Sequence, residues 1–241
     1  MRPIKFYDVT LKGLSRVSWS PNTCKIRYAL NLKNIPYETV WISLSQIFSE
    51  IPKVTKSADG PTAPIIFDEN NDIAVQDSWK IIKYLETTYP NSPKLLHGNE
   101  GLHYLFYQYC ENELYDPIFR LNCLDIWRRA GSKGVQSAFR RIREEKYNMT
   151  LEDVYESWPE HVKEANKALE PIRKTLSEYP YLSGDKVSWA DIVVASYLHT
   201  ADVLRNDIFT AHILNGVKND TTFSNWYMKM TKHLRYDESK L

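Results

Sequence analysis

Ser20-Pro21-Asn22-Thr23 packs three polar side chains into the point where a loop runs into a helical pattern. A helix start gathers unpaired backbone N–H groups and the positive end of the peptide dipole, so an anion is favoured there. A hydroxyl in that position can donate a hydrogen bond to a thiolate and lower its pKa. The plainer reading of the same residues is N-capping, for which Ser, Asn and Thr are all common. Gln76-Asp77-Ser78 opens a second helical pattern. Its hydroxyl and N–H groups suit a ligand carboxylate and Asp77 suits an ammonium group, and a cap is again compatible with both. Lys53, a little upstream, has the reach to meet a carboxylate, although on its own it reads as a solvated loop charge.

The elements that must position these groups alternate over the first 90 residues. Ile4–Val9 reads as a strand and the residues after Ser20 as a helix. That helix has Ile26, Ala29, Leu30 and the stem of Lys33 on one face, with Lys25 and Arg27 elsewhere. Asn34 suits a left-handed stop. Tyr37 to Leu44 alternates as a second strand, and the short β-α-β spacing implies a parallel, right-handed pair. Pro64–Phe67 and Ile73–Val75 read as a hairpin around Asp68-Glu69-Asn70-Asn71-Asp72, and a helix from Asp77-Ser78 ends at Pro90. This is a compact α/β unit of about the size of a thioredoxin fold. Within such a unit Pro64 would be cis and would present the N–H and C=O of Ala63 to an extended peptide, whereas in isolation it reads as an edge or turn residue. Three starts with complementary polar groups are what a zwitterionic peptide site requires.

Strand patterns end beyond Pro93. Helices are expected over 100–128, 132–147, 160–178, 188–204 and 219–234, with Pro159 at a helix start and Pro171 kinking or interrupting its helix. Pro90, Asn91, Ser92, Pro93 and Gly98 mark a boundary. The expected division is an α/β domain over 1–90, a linker over 91–99 and an all-helical domain over 100–241. Ser188-Trp189-Ala190-Asp191, flanked by Val187 and Ile192, has the grammar of a capping box with its hydrophobic staple, which concerns folding rather than chemistry.

The 241 residues are 43% apolar and 25% charged, the proportions of a globular protein. Thirty-one Lys+Arg against 30 Asp+Glu leave a charge of +1, so nothing points to nucleic acid or an anionic membrane. No apolar run approaches the ~20 residues of a membrane span, and no secretory leader is evident, so a cytoplasmic protein is expected. Cys24, Cys110 and Cys123 are too few for a disulfide framework, and the six histidines show no metal-type spacing, so no metal is expected. Arg140-Arg141-Ile142-Arg143 reads as a solvated helix face. The aromatic content of 13%, with 16 Tyr and 7 Trp, suggests flat apolar surfaces with polar edges.

Together these strings resemble the cytosolic glutathione transferases over nearly the whole chain. Ser20 through Leu30 looks like that family's catalytic loop and first helix, Ala63-Pro64 like its cis-proline element, and Asp77-Ser78 like its acidic-Ser pair. Gly184-Asp185 through Ile192 looks like its capping-box motif. The Ser-Pro-Asn-Thr loop and the long helical region are most similar to the fungal etherase-related class, kin to lignin β-etherases. The resemblance implies an α+β architecture, with a thioredoxin-like N-terminal domain followed by an all-helical substrate domain. It implies glutathione as co-substrate, held by Lys53, Ala63, Pro64, Asp77 and Ser78, with Ser20, Asn22 or Thr23 activating its thiol. It also implies a homodimer and aromatic electrophiles, with Tyr107, Tyr115 and Trp127 as residues to line their pocket and β-etherase or peroxidase chemistry as side activity. Ser20 stands where the Cys-type branch carries its cysteine, and Cys24 reads as a core or half-buried thiol. A non-catalytic binder of aromatic compounds, or a regulatory protein reusing the fold, is the alternative.

Overall fold

Strand β1 (Ile4–Thr10) lies at the centre of the N-terminal half of the computed structural model, which describes residues 2–55, 60–217 and 220–234. Ile4 and Phe6 alternate into the core. β1 pairs in parallel with β2 (Tyr37–Ser43), setting Phe6 opposite Thr39, and antiparallel with β3 (Ile65–Asp68), setting Phe6 opposite Ile66. β3 turns back into β4 (Ile73–Gln76) as the hairpin expected, giving the mixed order β2-β1-β3-β4. The turn is tied by Asp68, which accepts the Asn70 N–H at 2.9 Å and the Asn71 amide at 2.8 Å.

Helix α1 (Pro21–Leu32) follows β1 and departs from the expected amphipathic pattern. Every residue from Thr23 to Leu30 is buried, Lys25 and Arg27 included. The helix runs between the sheet and the helical half, so it has no solvent face, and its two basic side chains and that of its C-cap, Lys33, are each met by an acid. Lys25 reaches Glu111 at 2.9 Å, Arg27 reaches Asp8 at 2.8 Å and Lys33 reaches Glu86 at 2.7 Å. A buried charge is tolerated only when so paired. Asn34 has a φ of 53°, the left-handed stop expected. Helix α2 (Ile47–Val54) lies in a stretch to which the sequence assigned no element; its Pro52 sits in the last turn, where little helix remains to lose. α3 (Ser78–Thr88) completes this half.

The other half is helical throughout the described residues: α4 (Glu100–Glu113), α5 (Tyr115–Arg129), α6 (Lys133–Tyr147), α7 (Leu151–Glu156), α8 (Trp158–Glu178) and α9 (Trp189–Leu204). α10 (Asn206–Ile208) runs into a π-helical turn at Phe209–Leu214, and α11 (Thr221–Thr231) follows. The helix expected over 100–128 is thus two, divided at Leu114. The one expected from 219 is observed from Thr221, and Asn219 lies outside the described residues. Pro171 does not interrupt α8, where the buried Ala165, Leu169, Ile172 and Leu176 outweigh one missing hydrogen bond. α9 is the core of this half. Its capping box forms as expected: Asp191 accepts the Ser188 N–H at 3.0 Å and hydroxyl at 2.8 Å, and also the Leu182 N–H and the Trp226 indole N–H. The architecture is a thioredoxin-like N-terminal domain followed by an all-helical one.

Candidate active site

The loop entering α1 is held from both halves of the molecule. The Ser18 hydroxyl donates to Asp8 at 3.0 Å, and the Thr200 hydroxyl of α9 donates to the Trp19 carbonyl at 2.8 Å. His199 Nε2 lies 3.1 Å from the Ser18 carbonyl, and burial lowers the pKa of this imidazole. A carbonyl only accepts, so the ring must carry its proton on Nε2.

Ser20 follows in an extended conformation. Its carbonyl accepts the Cys24 N–H at 2.9 Å, which starts the helix, but its hydroxyl makes no cap bond. The plain capping reading therefore fails at this residue. Thr23 is buried, and its hydroxyl donates back to the Ser20 carbonyl at 3.2 Å, so that proton is already committed. Asn22 Oδ1 accepts from Lys25 Nζ at 3.0 Å. An ammonium can only donate, so the oxygen must face Lys25 and the NH₂ group is what Asn22 has left to offer.

Lys25 sits on a full set of acceptors: Asn22, Glu111 at 2.9 Å and the Tyr197 hydroxyl at 2.9 Å, with the Tyr107 and Tyr197 rings 4.8 and 4.6 Å from the ammonium. The Tyr197 hydroxyl in turn donates a hydrogen bond to Glu111. Burial lowers the Lys25 pKa against the pull of Glu111. Burial also pushes the Glu111 carboxyl up, but Lys25 and the Tyr197 hydroxyl outweigh it and hold the group below its ordinary value. Sequence reading missed this cluster because its members lie on α1, α4 and α9.

A cavity of about 220 Å³ opens at the α1 start, lined by Ser20, Asn22, Tyr115, Phe119, Phe139, Arg143 and Tyr197 among others. Of the three aromatics proposed from sequence, Tyr115 lines it. Tyr107 instead stacks on Trp79 with ring centroids 6.2 Å apart, and the Trp127 indole donates to the Gln136 carbonyl beneath Arg140. Arg143 was expected on a solvated face; it is half-buried and faces the cavity, and Phe119 and Phe139 were not singled out. The i, i+4 spacing of Phe139 and Arg143 was the available signal, since it puts both on one helix face. A larger groove of about 920 Å³ runs along α4 past Leu102, Leu105 and Tyr109, and contains none of the polar site residues.

Across the sheet, Ala63-Pro64 is cis, and the Pro64 carbonyl accepts the Asp77 N–H at 3.4 Å, so the strand start and the α3 start adjoin. Asp77, at a φ of 83°, caps α3: its Oδ1 accepts the Trp79 and Lys80 N–H groups, each at 3.0 Å. Ser78 is buried beside it. Lys53 is exposed on α2 and bonded to both Glu50 oxygens at 3.0 Å. All three cysteines are buried and unpaired, and burial pushes the Cys24 thiol well up, as suits a core thiol. Among the described residues no group of His, Cys, Asp and Glu is arranged to hold a metal.

The sequence model of the glutathione S-transferase N-terminal domain matches residues 14–93, and that of the C-terminal domain matches residues 101–225. This chain belongs to the glutathione S-transferase family. The fold is similar to glutathione transferase GSTFuA2 of Phanerochaete chrysosporium, at 27% identity and a TM-score of 0.85, over 98% of this chain and 100% of that one. It is also similar to CsGST63524 of Ceriporiopsis subvermispora, solved in complex with glutathione, at 25% identity and a TM-score of 0.83, over 98% and 100% of the two chains. A glutathione S-transferase-like protein of Aspergillus flavus, ustS, is 34% identical over 103 residues, which span 38% of this chain and only 37% of that protein. Among the described residues the Ser20 hydroxyl at the α1 start makes no cap bond, and Asp77 at the α3 start has one oxygen engaged as a cap.

Proposed function

We propose that this chain is a Ser-type glutathione transferase that joins the glutathione thiolate to small aromatic electrophiles. The observation that carries this is the Ser20 hydroxyl, uncommitted at the N-terminus of α1 and opening on an aromatic-lined cavity. Residues 1–90 hold glutathione, 91–99 link, and 100–241 supply the electrophile's walls. Asp77 meets the γ-glutamyl ammonium, Ser78 the adjacent carboxylate, the Ala63-Pro64 backbone the cysteinyl unit, and Lys53 exchanges Glu50 for the far carboxylate. Ser20 donates to the sulfur and the Asn22 amide assists; the committed Thr23 hydroxyl supports the loop instead.

A hydrogen bond to a charged group contributes ~1.5–3 kcal/mol, which lowers the thiol pKa by roughly one to two units. The helix terminus adds several tenths of a kcal/mol. The thiol proton leaves to solvent, the sulfur lone pair forms the S–C bond, and the leaving group departs with its bonding electrons. Where the leaving group is an aryl oxide the same step cleaves an ether, and we include β-etherase and peroxidase turnover as side activities. The cavity is smaller than the ~300–1,000 Å³ usual for drug-sized ligands, which favours single-ring substrates.

The reading includes a homodimer, supported by Leu102 and Leu105, 60% and 66% exposed on the outer face of α4. Sedimentation at micromolar concentration is expected to give twice the chain mass. It also includes a reducing, cytoplasmic setting and a role in detoxification, the former supported by three unpaired cysteines. No helix among the described residues is long and apolar enough to cross a membrane. The test is retention on immobilised glutathione, elution by free glutathione, and turnover of a nitro-activated chloroarene by the eluate. Retention without turnover would favour the binder.

A further inference from the structure

Arg143 is the charged residue of the cavity wall that the chemistry above leaves without a task. Its guanidinium lies over the Phe119 ring at 4.6 Å and the Phe139 ring at 5.4 Å, and its buried Nε has no hydrogen-bond partner. Among the described residues no carboxylate pairs with it. The acids nearby are already taken: Glu144 and Glu152 by Arg140, Asp116 by Lys146 and Arg120. The residue nonetheless lines the cavity on the same wall as Tyr115; it acts to lower the pKa of that phenol, although burial raises it overall.

Two aromatic faces stabilise a guanidinium through their π-electrons but accept none of its N–H groups in the ring plane. A half-buried cation so placed, among the described residues, keeps an unmet donor. The geometry points to an electrophile that is itself an aromatic acid: Arg143 receives the substrate's carboxylate while the ring lies among Tyr115, Phe119 and Phe139 and its reacting carbon faces Ser20. This rests on the transferase reading for the reaction, but not for the binding. Arginine suits the task because its planar fork matches a carboxylate with two parallel hydrogen bonds, which an ammonium cannot do.

The test compares a nitro-activated chlorobenzoate with its methyl ester, which lose chloride from the same carbon. Each kcat/KM is divided by the uncatalysed rate constant with glutathione, because the ester is intrinsically the more reactive. The corrected preference for the acid is expected to be roughly tenfold or more in the native protein, to vanish in Arg143→Met, and to persist in part in Arg143→Lys. Calorimetry with the unreactive nitrobenzoate on the glutathione-loaded protein gives the same comparison without turnover, and melting curves show that each variant is folded. Conjugation with no acid preference, or a preference unchanged in Arg143→Met, would overturn the proposal and leave the transferase reading intact. Arg143-dependent binding of nitrobenzoate with turnover of neither chloroarene would do the reverse.

Discussion

Helices α1 and α9 both open on a serine, and their starts have opposite fates. At α9, Ser188 gives both its N–H and its hydroxyl to Asp191, whose other oxygen takes the Leu182 N–H and the Trp226 indole. At α1, Ser20 caps nothing through its side chain, proline removes one of the N–H groups that would need capping, and the Thr23 hydroxyl and Cys24 N–H both turn to the Ser20 carbonyl. The first start is closed on itself and buried; the second leaves a hydroxyl, an oriented amide and a helix dipole facing a cavity. Residue type does not separate structure from chemistry here. What separates them is whether the local donors and acceptors are already matched.

The sharpest way to break this contrast is at the closed start. Asp191→Ala leaves several buried donors unmatched at ~1–3 kcal/mol each, so a loss of at least about 3 kcal/mol is expected, seen as a melting temperature lower by roughly 6–12 °C. Glutathione affinity of the folded fraction should hold; lost affinity with an unchanged melt would reverse the assignment.

A smaller effect is expected at Asp68, the buried carboxylate that takes the Tyr84 and Tyr89 hydroxyls at 2.7 and 2.5 Å and so ties α3 to the sheet. Burial pushes its pKa up, but the two tyrosines, Asn71 and Asn70 outweigh that and bring it down to about 2. A depressed carboxylate contributes stability that is present above its unfolded pKa of ~3.9 and lost as pH falls through the folded value. Asp68→Asn should therefore cost up to about 2 kcal/mol at pH ~6, with the gap to the native protein closing as pH approaches ~2. Urea unfolding at a series of pH values measures it; a pH-independent gap would contradict the assignment.

Asp77→Asn tests a start of mixed character, because asparagine keeps the cap on α3 while removing the charge. The Michaelis constant for glutathione should rise several-fold with kcat largely kept, since an interaction remote from the sulfur is equal in ground and transition states. A fall in kcat alone would place Asp77 elsewhere. The smallest effect is expected from Thr23→Val, whose hydroxyl is committed to the Ser20 carbonyl: a shift of the bound thiol pKa within about 0.3 units, read by thiolate absorbance. A larger shift would return Thr23 to the catalytic role.

The sheet, its hairpin, the α3 cap and the α9 box were legible because each is a local pattern: alternation in Ile4–Val9, turn residues at 68–72, an acid three residues after Ser188. α1 was legible as a helix but not as a buried one. Periodicity assigns charges to solvent, whereas Lys25 finds its acid 86 residues away on α4. The cavity was the least legible part. Tyr115, Phe119 and Arg143 come from α5 and α6, and only the packing of those helices turns them toward Ser20. Tyr107, equally aromatic and nearby in sequence, is turned instead onto Trp79.

The central claim is that the uncommitted Ser20 hydroxyl ionises the thiol, and a pH titration of thiolate absorbance for bound glutathione tests it most directly. The native protein should titrate well below free glutathione, and Ser20→Ala roughly one to two units higher than native, with glutathione still bound and the melting curve nearly unchanged because no cap is lost. A titration in Ser20→Ala that coincides with the native one would contradict the account and move the thiol's hydrogen bond to Asn22.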